Sequence, residues 1–295
     1  MPEVFAIEEP LEQDELVSNL PEAASQSLES ARHPWSRFVA IGDSFTEGIG
    51  DPDPDSPGGN RGWADRVAEE LARDHPDFAY ANLAIRGRLL QQIIDEQVGP
   101  AVELAPDLIS FCAGGNDVLR PGSDPDALAE KIDAAIETLA ATGATIVLFT
   151  APDVGDTPLI GSVRGRAAIY NENLRTVATR HDAVIADMWA LRELKDPRMW
   201  APDRLHFSPL GHHTIAAMVL DALNVEHSLQ PEVPKPLPSK NWRTARAEDL
   251  VWARQHLFPW VLRALRHQSL GDGISPKRPI AGPMFGPGMP PGAAG

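Results

Sequence analysis

Five short apolar runs, separated by segments of helical period, constrain the fold of this chain more than any other feature. The runs occupy residues 38–41, 78–83, 108–112, 146–149 and 183–186. The helical segments between and after them fall near 63–74, 89–98, 126–141, 164–180 and 209–223. Apolar runs joined by helical crossovers predict an α/β fold, with a parallel five-stranded sheet covered by helices on both faces. Ligands in such sheets bind beyond the carboxyl ends of the strands, so chemistry is to be sought in the residues that follow the runs.

Composition narrows what that fold can do. The chain of 295 residues is 43% hydrophobic and 23% charged, and its formal net charge is −16. A nucleic-acid partner is not expected, because phosphate binding needs a cationic surface. The single cysteine, Cys112, permits no intrachain disulfide and no cysteine-based metal cluster; within an apolar run it reads as a small hydrophobe. No cofactor is implied, since nothing has the spacing of a phosphate-cradling loop. The N-terminus carries acids where a secretory signal would carry basic and then apolar residues, and no run is long enough to span a bilayer. A cytoplasmic location is the expectation.

Directly after the first run stands Gly42-Asp43-Ser44-Phe45-Thr46-Glu47-Gly48. A serine delivered at the end of a strand is placed like a nucleophile, but a free hydroxyl is weak and needs a base beside it. Asp203-Arg204-Leu205-His206 offers one: carboxylate and imidazole three residues apart on a loop can meet through Nδ1, leaving Nε2 to take the serine proton. Acyl transfer also needs donors for the developing oxyanion. Asn116, in Gly114-Gly115-Asn116-Asp117 after the third run, can present its amide, and Gly87, after the second run, a backbone N–H that no Cβ obstructs. The backbone N–H of Ser44 is the third donor. Asp43 and Asp117 are read as structural hydrogen-bonders.

In their order, Ser44 in its GDSF block, Gly87, Asn116 in its GGND block and the Asp203–His206 pair resemble the four blocks of the SGNH hydrolase superfamily, the GDSL-type esterases and lipases. The likeness runs over roughly 37–223, and the chain also resembles bacterial cytosolic members whose tails carry a Trp-rich helix. It implies a flavodoxin-like three-layer α/β/α sandwich, a Ser44–His206–Asp203 triad, an oxyanion hole of Ser44, Gly87 and Asn116, and a small-molecule ester or thioester as substrate. Phe45 stands where the family's fourth letter is Leu, and Ala84 where many members have Gly. Carbohydrate O-deacetylation within the same superfamily is the alternative. A non-catalytic flavodoxin-like binding module and a silent scaffold acting through its tails are the competing classes.

Other features carry plainer readings. His212 and His213 are adjacent on a helical segment and point apart, which makes a poor pair of metal ligands; no metal site is expected. The acidic stretch 51–55 with Gly58 and Gly59 reads as a solvated loop. Residues 1–34 form an acidic arm, 35–225 the hydrolase domain, 226–246 a Pro-rich connector, 247–268 an amphipathic helix with Trp252 and Trp260, and 269–295 a Gly/Pro-rich tail that is irregular from Gly271. Docking of the 247–268 helix on its own acidic domain is favoured over contact with an anionic membrane or a dimer interface. The oligomeric state is left open.

Overall fold

The structure is a computed structural model and describes residues 33–232 except 74, 156, 158 and 159, together with 252, 254 and 271–284. The arm expected over 1–34 therefore lies outside the described residues except at its end, as do most of the 226–246 connector and all but two residues of the 247–268 helix.

Each of the five apolar runs forms a strand. These are β1 (Arg37–Gly42), β2 (Ala79–Asn82), β3 (Leu108–Cys112), β4 (Thr145–Phe149) and β5 (Val184–Ala186), parallel and ordered β5-β4-β3-β1-β2. Reading that order from its other edge gives 2-1-3-4-5, the flavodoxin-like arrangement. The period of two along β1 sends Phe38 and Ala40 into one core and Val39 and Ile41 into the other, and all four are essentially inaccessible. Burial on both faces is why no polar alternation interrupts the run.

The first core packs α2 (Gly62–Ala72) and α8 (Pro209–Ala222) against the sheet. The second packs α3 (Leu90–Ile93), α4 (Gly99–Glu103), α6 (Pro125–Ala140) and α7 (Arg164–Arg180) against the opposite face. The layers are therefore α/β/α. Two short helices sit at the carboxyl edge of the sheet, α1 (Ser44–Glu47) and α5 (Gly115–Val118). Start signals in the sequence work as capping predicts. Asp124 accepts from the backbone of Asp126 and Ala127 ahead of Pro125, and Ser208 accepts from Gly211 N–H ahead of Pro209. Among the described residues, no helix is long and apolar enough to cross a membrane.

Two expectations need correction. The sheet has six strands: the tail, expected to be irregular from Gly271, contributes β6 (Arg278–Pro283), antiparallel on β2. Pro279 and Pro283 lack backbone donors, which an edge strand tolerates and a central one does not. The helix expected near 89–98 is present, running on from α3 through a π-helical turn, Ile94–Val98, in which Gln97 is turned inward and is 1% exposed. The 51–55 stretch is not wholly solvated either, since Asp51 is buried, pairs with Arg66 and accepts from Gly62 N–H.

Candidate active site

Ser44 stands where β1 ends. Both backbone polar groups of Gly42 are held by the Gln97 side-chain amide, N–H to Oε1 at 2.8 Å and carbonyl from Nε2 at 2.9 Å. Asp43 then caps α1, accepting from Phe45 N–H at 3.1 Å, so Ser44 opens a helix whose first amides face outward from the strand end. Phe45, the departure from the family's Leu, is stacked on Trp63 and on His212, with ring centroids 5.5 and 5.9 Å away. It is apolar packing beneath the serine.

The loop ahead of α8 brings the other two predicted residues to that point. Ser44 Oγ–H donates to His206 Nε2 at 3.0 Å, and His206 Nδ1–H donates to Asp203 Oδ2 at 2.6 Å. The second carboxylate oxygen of Asp203 accepts from the backbone N–H of Leu205 and of His206, each at 3.0 Å. Burial alone would raise the Asp203 pKa, but the His206 hydrogen bond and charge with those two amides outweigh it and hold the carboxyl down at about 2. Asp203 is thus ionised and fixes the imidazole as the Nδ1–H tautomer.

Gly87 and Asn116 reach the same cavity, a space of about 500 Å³ lined also by Ser44, Asp203 and His206. Gly87 has φ 75°, a conformation that a side chain would strain. Its N–H and that of Ser44 meet no acceptor among the described residues. Asn116 lies in α5, whose N-cap is Gly114 (φ 82°), where a Cβ would sit 2.6 Å from the Tyr170 hydroxyl. The Asn116 amide donates to Asp43 Oδ2 at 3.0 Å and to the Arg88 carbonyl at 3.1 Å. Asp43 therefore links the serine helix to the Asn116 helix. Its burial raises its pKa to about 6, against the pull of the Phe45 amide and of His206. Asp117, read as structural, accepts from Leu90 N–H at 2.9 Å. Away from these groups the cavity wall is mainly apolar, with Val118, Leu119, Phe149, Val154, Ile160 and Val163 among its residues.

The remaining sequence candidates, His212, His213 and Cys112, make no hydrogen bond to these groups. Buried His212 accepts from Trp63 N–H through Nδ1 and donates to the Ile49 carbonyl through Nε2, while His213 faces Gln230 and Glu232. Desolvation lowers the His212 pKa to about 4. Among the described residues, no group of His, Cys, Asp and Glu is placed to hold a metal ion. Burial pushes the Cys112 thiol well up, as suits a packing residue. Gln97 was not found from the sequence: one glutamine in an apolar segment carries no signal that it will grip a glycine 55 residues away.

The fold recurs in known structures. LAE5, an alpha/beta hydrolase enzyme from the metagenome of Lake Arreo, Spain, superposes with a TM-score of 0.53 at 22% identity, over 64% of this chain and 95% of that one. TesA gives 0.51 at 20% identity, over 63% and 97%. Axe2, an acetylxylan esterase from Geobacillus stearothermophilus, gives 0.51 at 17%, over 65% and 95%. Among curated proteins, the uncharacterized protein YpmR of Bacillus subtilis (strain 168) is 33% identical over 89 residues, 28% of this chain and 32% of that protein, so the chain covers about a third of that relative's length. The α/β/α layering and the order of the motifs are those of the SGNH superfamily. Residues 40–214 match the GDSL-like lipase/acylhydrolase family, and the chain belongs to it.

Proposed function

We propose that the protein hydrolyses carboxylic esters or thioesters through an acyl-enzyme on Ser44. The observation that carries this reading is the unbroken chain from Ser44 Oγ through His206 to Asp203, at 3.0 and 2.6 Å. In the first step Ser44 Oγ bonds to the substrate carbonyl carbon while its proton passes to His206 Nε2. The carbonyl oxygen takes the negative charge and meets the N–H groups of Ser44 and Gly87. The charged oxygen also draws on the Asn116 N–H now given to the neutral Arg88 carbonyl, because an anion is the stronger acceptor. Collapse breaks the bond to the leaving group, which receives the proton from His206. Water then repeats the sequence on the acyl-enzyme, releasing the acid and restoring Ser44. Asp203 stays ionised throughout and stabilises the imidazolium.

The apolar cavity wall favours an acyl group longer than acetyl, and so an ester of a hydrocarbon acid ahead of an acetylated sugar. Each methylene moved from water onto such a wall is worth about 0.8 kcal/mol, or about fourfold in kcat/KM. A series of p-nitrophenyl esters, run beside acetylated xylo-oligosaccharides and an acyl-CoA, tests this. The expected outcome is kcat/KM rising from acetate towards medium chain lengths; a preference for acetate and acetylated sugars would replace this reading with deacetylation. Labelling by a fluorophosphonate probe, lost in Ser44→Ala, tests the nucleophile itself, and an unlabelled wild-type protein would return the fold to the non-catalytic classes.

A further inference from the structure

We infer that Trp252 is a positioning residue for the triad, holding from outside the loop that sets Asp203 against His206; the inference rests on the triad reading above. Residue 252 lies beyond the 40–214 stretch shared with the family. Its indole is buried, 6% exposed, and a buried indole N–H needs an acceptor. The acceptor is the backbone carbonyl of Asp203, at 2.7 Å. The guanidinium of the next residue, Arg204, lies over the same ring, 5.2 Å from its centroid. One side chain therefore holds two consecutive residues of the loop.

The loop has reason to need that hold. Arg204 has φ 55°, a left-handed conformation that residues with a Cβ rarely adopt. Within the loop, Arg204 N–H donates to Ala201 and Ala201 N–H to His206, both at 2.8 Å, which ties its two ends but leaves the Asp203 carbonyl to the indole. Further along, the chain is fixed against Arg86 and Arg88. Asp272 pairs with Arg88 at 2.9 Å, and the carbonyl of Arg88 orients Asn116. Gly271 lies so close to Arg86 that a Cβ would be 2.4 Å from its carbonyl oxygen.

The test compares full-length wild type, Trp252→Phe and Trp252→Ala. Turnover is measured per active site titrated with a fluorophosphonate probe, alongside KM, thermal midpoint and the downfield Nδ1–H proton resonance of His206. A displaced base loses rate without losing substrate affinity, so Trp252→Phe, which keeps the ring and loses the donor, should lower kcat about three- to tenfold with KM within about twofold. The Trp252→Ala variant should lower it further, and in both the downfield resonance should broaden or vanish. A merely structural residue would lower the midpoint and the titratable fraction while leaving turnover per site and the resonance as in wild type; that result would overturn the inference. If Trp252→Ala does not fold, Trp252→Phe decides alone. If the fluorophosphonate probe does not label the wild type, the hydrolase reading fails, and the resonance in Trp252→Phe still reports whether the indole positions the imidazole.

Discussion

The two arms of the triad are built by different means. Ser44 is held by the core: a central strand ends at Gly42, Gln97 grips both backbone groups of that glycine, and Phe45 is stacked among buried rings. Beneath it Glu47, 4% exposed, binds Arg86 through both side-chain and backbone N–H groups. The Asp203–His206 arm is an irregular turn with a residue at positive φ, fastened by its own short hydrogen bonds and by the isolated bridge Trp200–Phe207. A nucleophile must meet the substrate carbonyl at one place, and a strand end within a packed sheet fixes a place better than a loop can. An imidazole must instead serve as base and then acid, and a loop lets its orientation be set by a single carboxylate.

If that contrast is right, damage should be all-or-none on the first arm and graded on the second. Ser44→Ala should reduce kcat by on the order of 10⁴–10⁶ with the unfolding midpoint unchanged, while Asp203→Ala, which leaves the base in place but unoriented, should cost about 10⁴ or less. Steady-state kinetics and calorimetry on the two variants check this. Near-wild-type turnover in Ser44→Ala would remove the mechanism; equal losses in both would remove the distinction between the arms.

A smaller effect is expected where α5 bridges to the serine arm. Asn116→Ala should lower kcat by about 10²–10³ with little change in KM, because the amide meets the tetrahedral oxyanion better than the ground-state carbonyl. A variant in which KM alone moved would make Asn116 a binding or purely structural residue, its work being the contacts to Asp43 and Arg88.

What the sequence disclosed follows the same division. The five strands were legible because burial on both faces leaves apolar runs, and α7 because its period is sustained over the whole of Arg164–Arg180. The Asp203–His206 pair was legible because its partners lie three residues apart, so local geometry alone brings them together. Contacts made across the sheet left no local trace. Nothing in the residues around Gln97 points to Gly42, and nothing in the spacing of Asp43 and Asn116 says that the carboxylate will accept from the amide. β6 was hidden for another reason: Arg278-Pro279-Ile280-Ala281-Gly282-Pro283 has the composition of a turn, and only its place at the edge of the sheet makes it a strand.

The two arms should also differ in their response to pH, because each carries a buried or half-buried carboxylate of opposite tendency. In the folded chain Asp43 has its pKa raised from 3.8 to about 6, mainly by burial, and Asp203 has its own lowered from 3.8 to about 2. For Asp43 the folded state holds its proton longer than the unfolded state, so its contribution is full below about pH 4 and is lost as pH rises through about 6. For Asp203 the contribution is full above about pH 4 and is lost only as pH falls towards about 2. Replacing each by Asn removes its own dependence. Between pH 4 and 7 the stability of Asp43→Asn relative to wild type should therefore improve, by on the order of 3 kcal/mol, whatever its starting offset from the altered hydrogen bond to Asn116. Asp203→Asn should show a deficit at both ends of the interval, because the carboxylate it replaces is ionised throughout. Urea unfolding of the three proteins across that range measures both, and parallel curves for the two variants would show that the serine arm holds no ionised carboxylate at a cost.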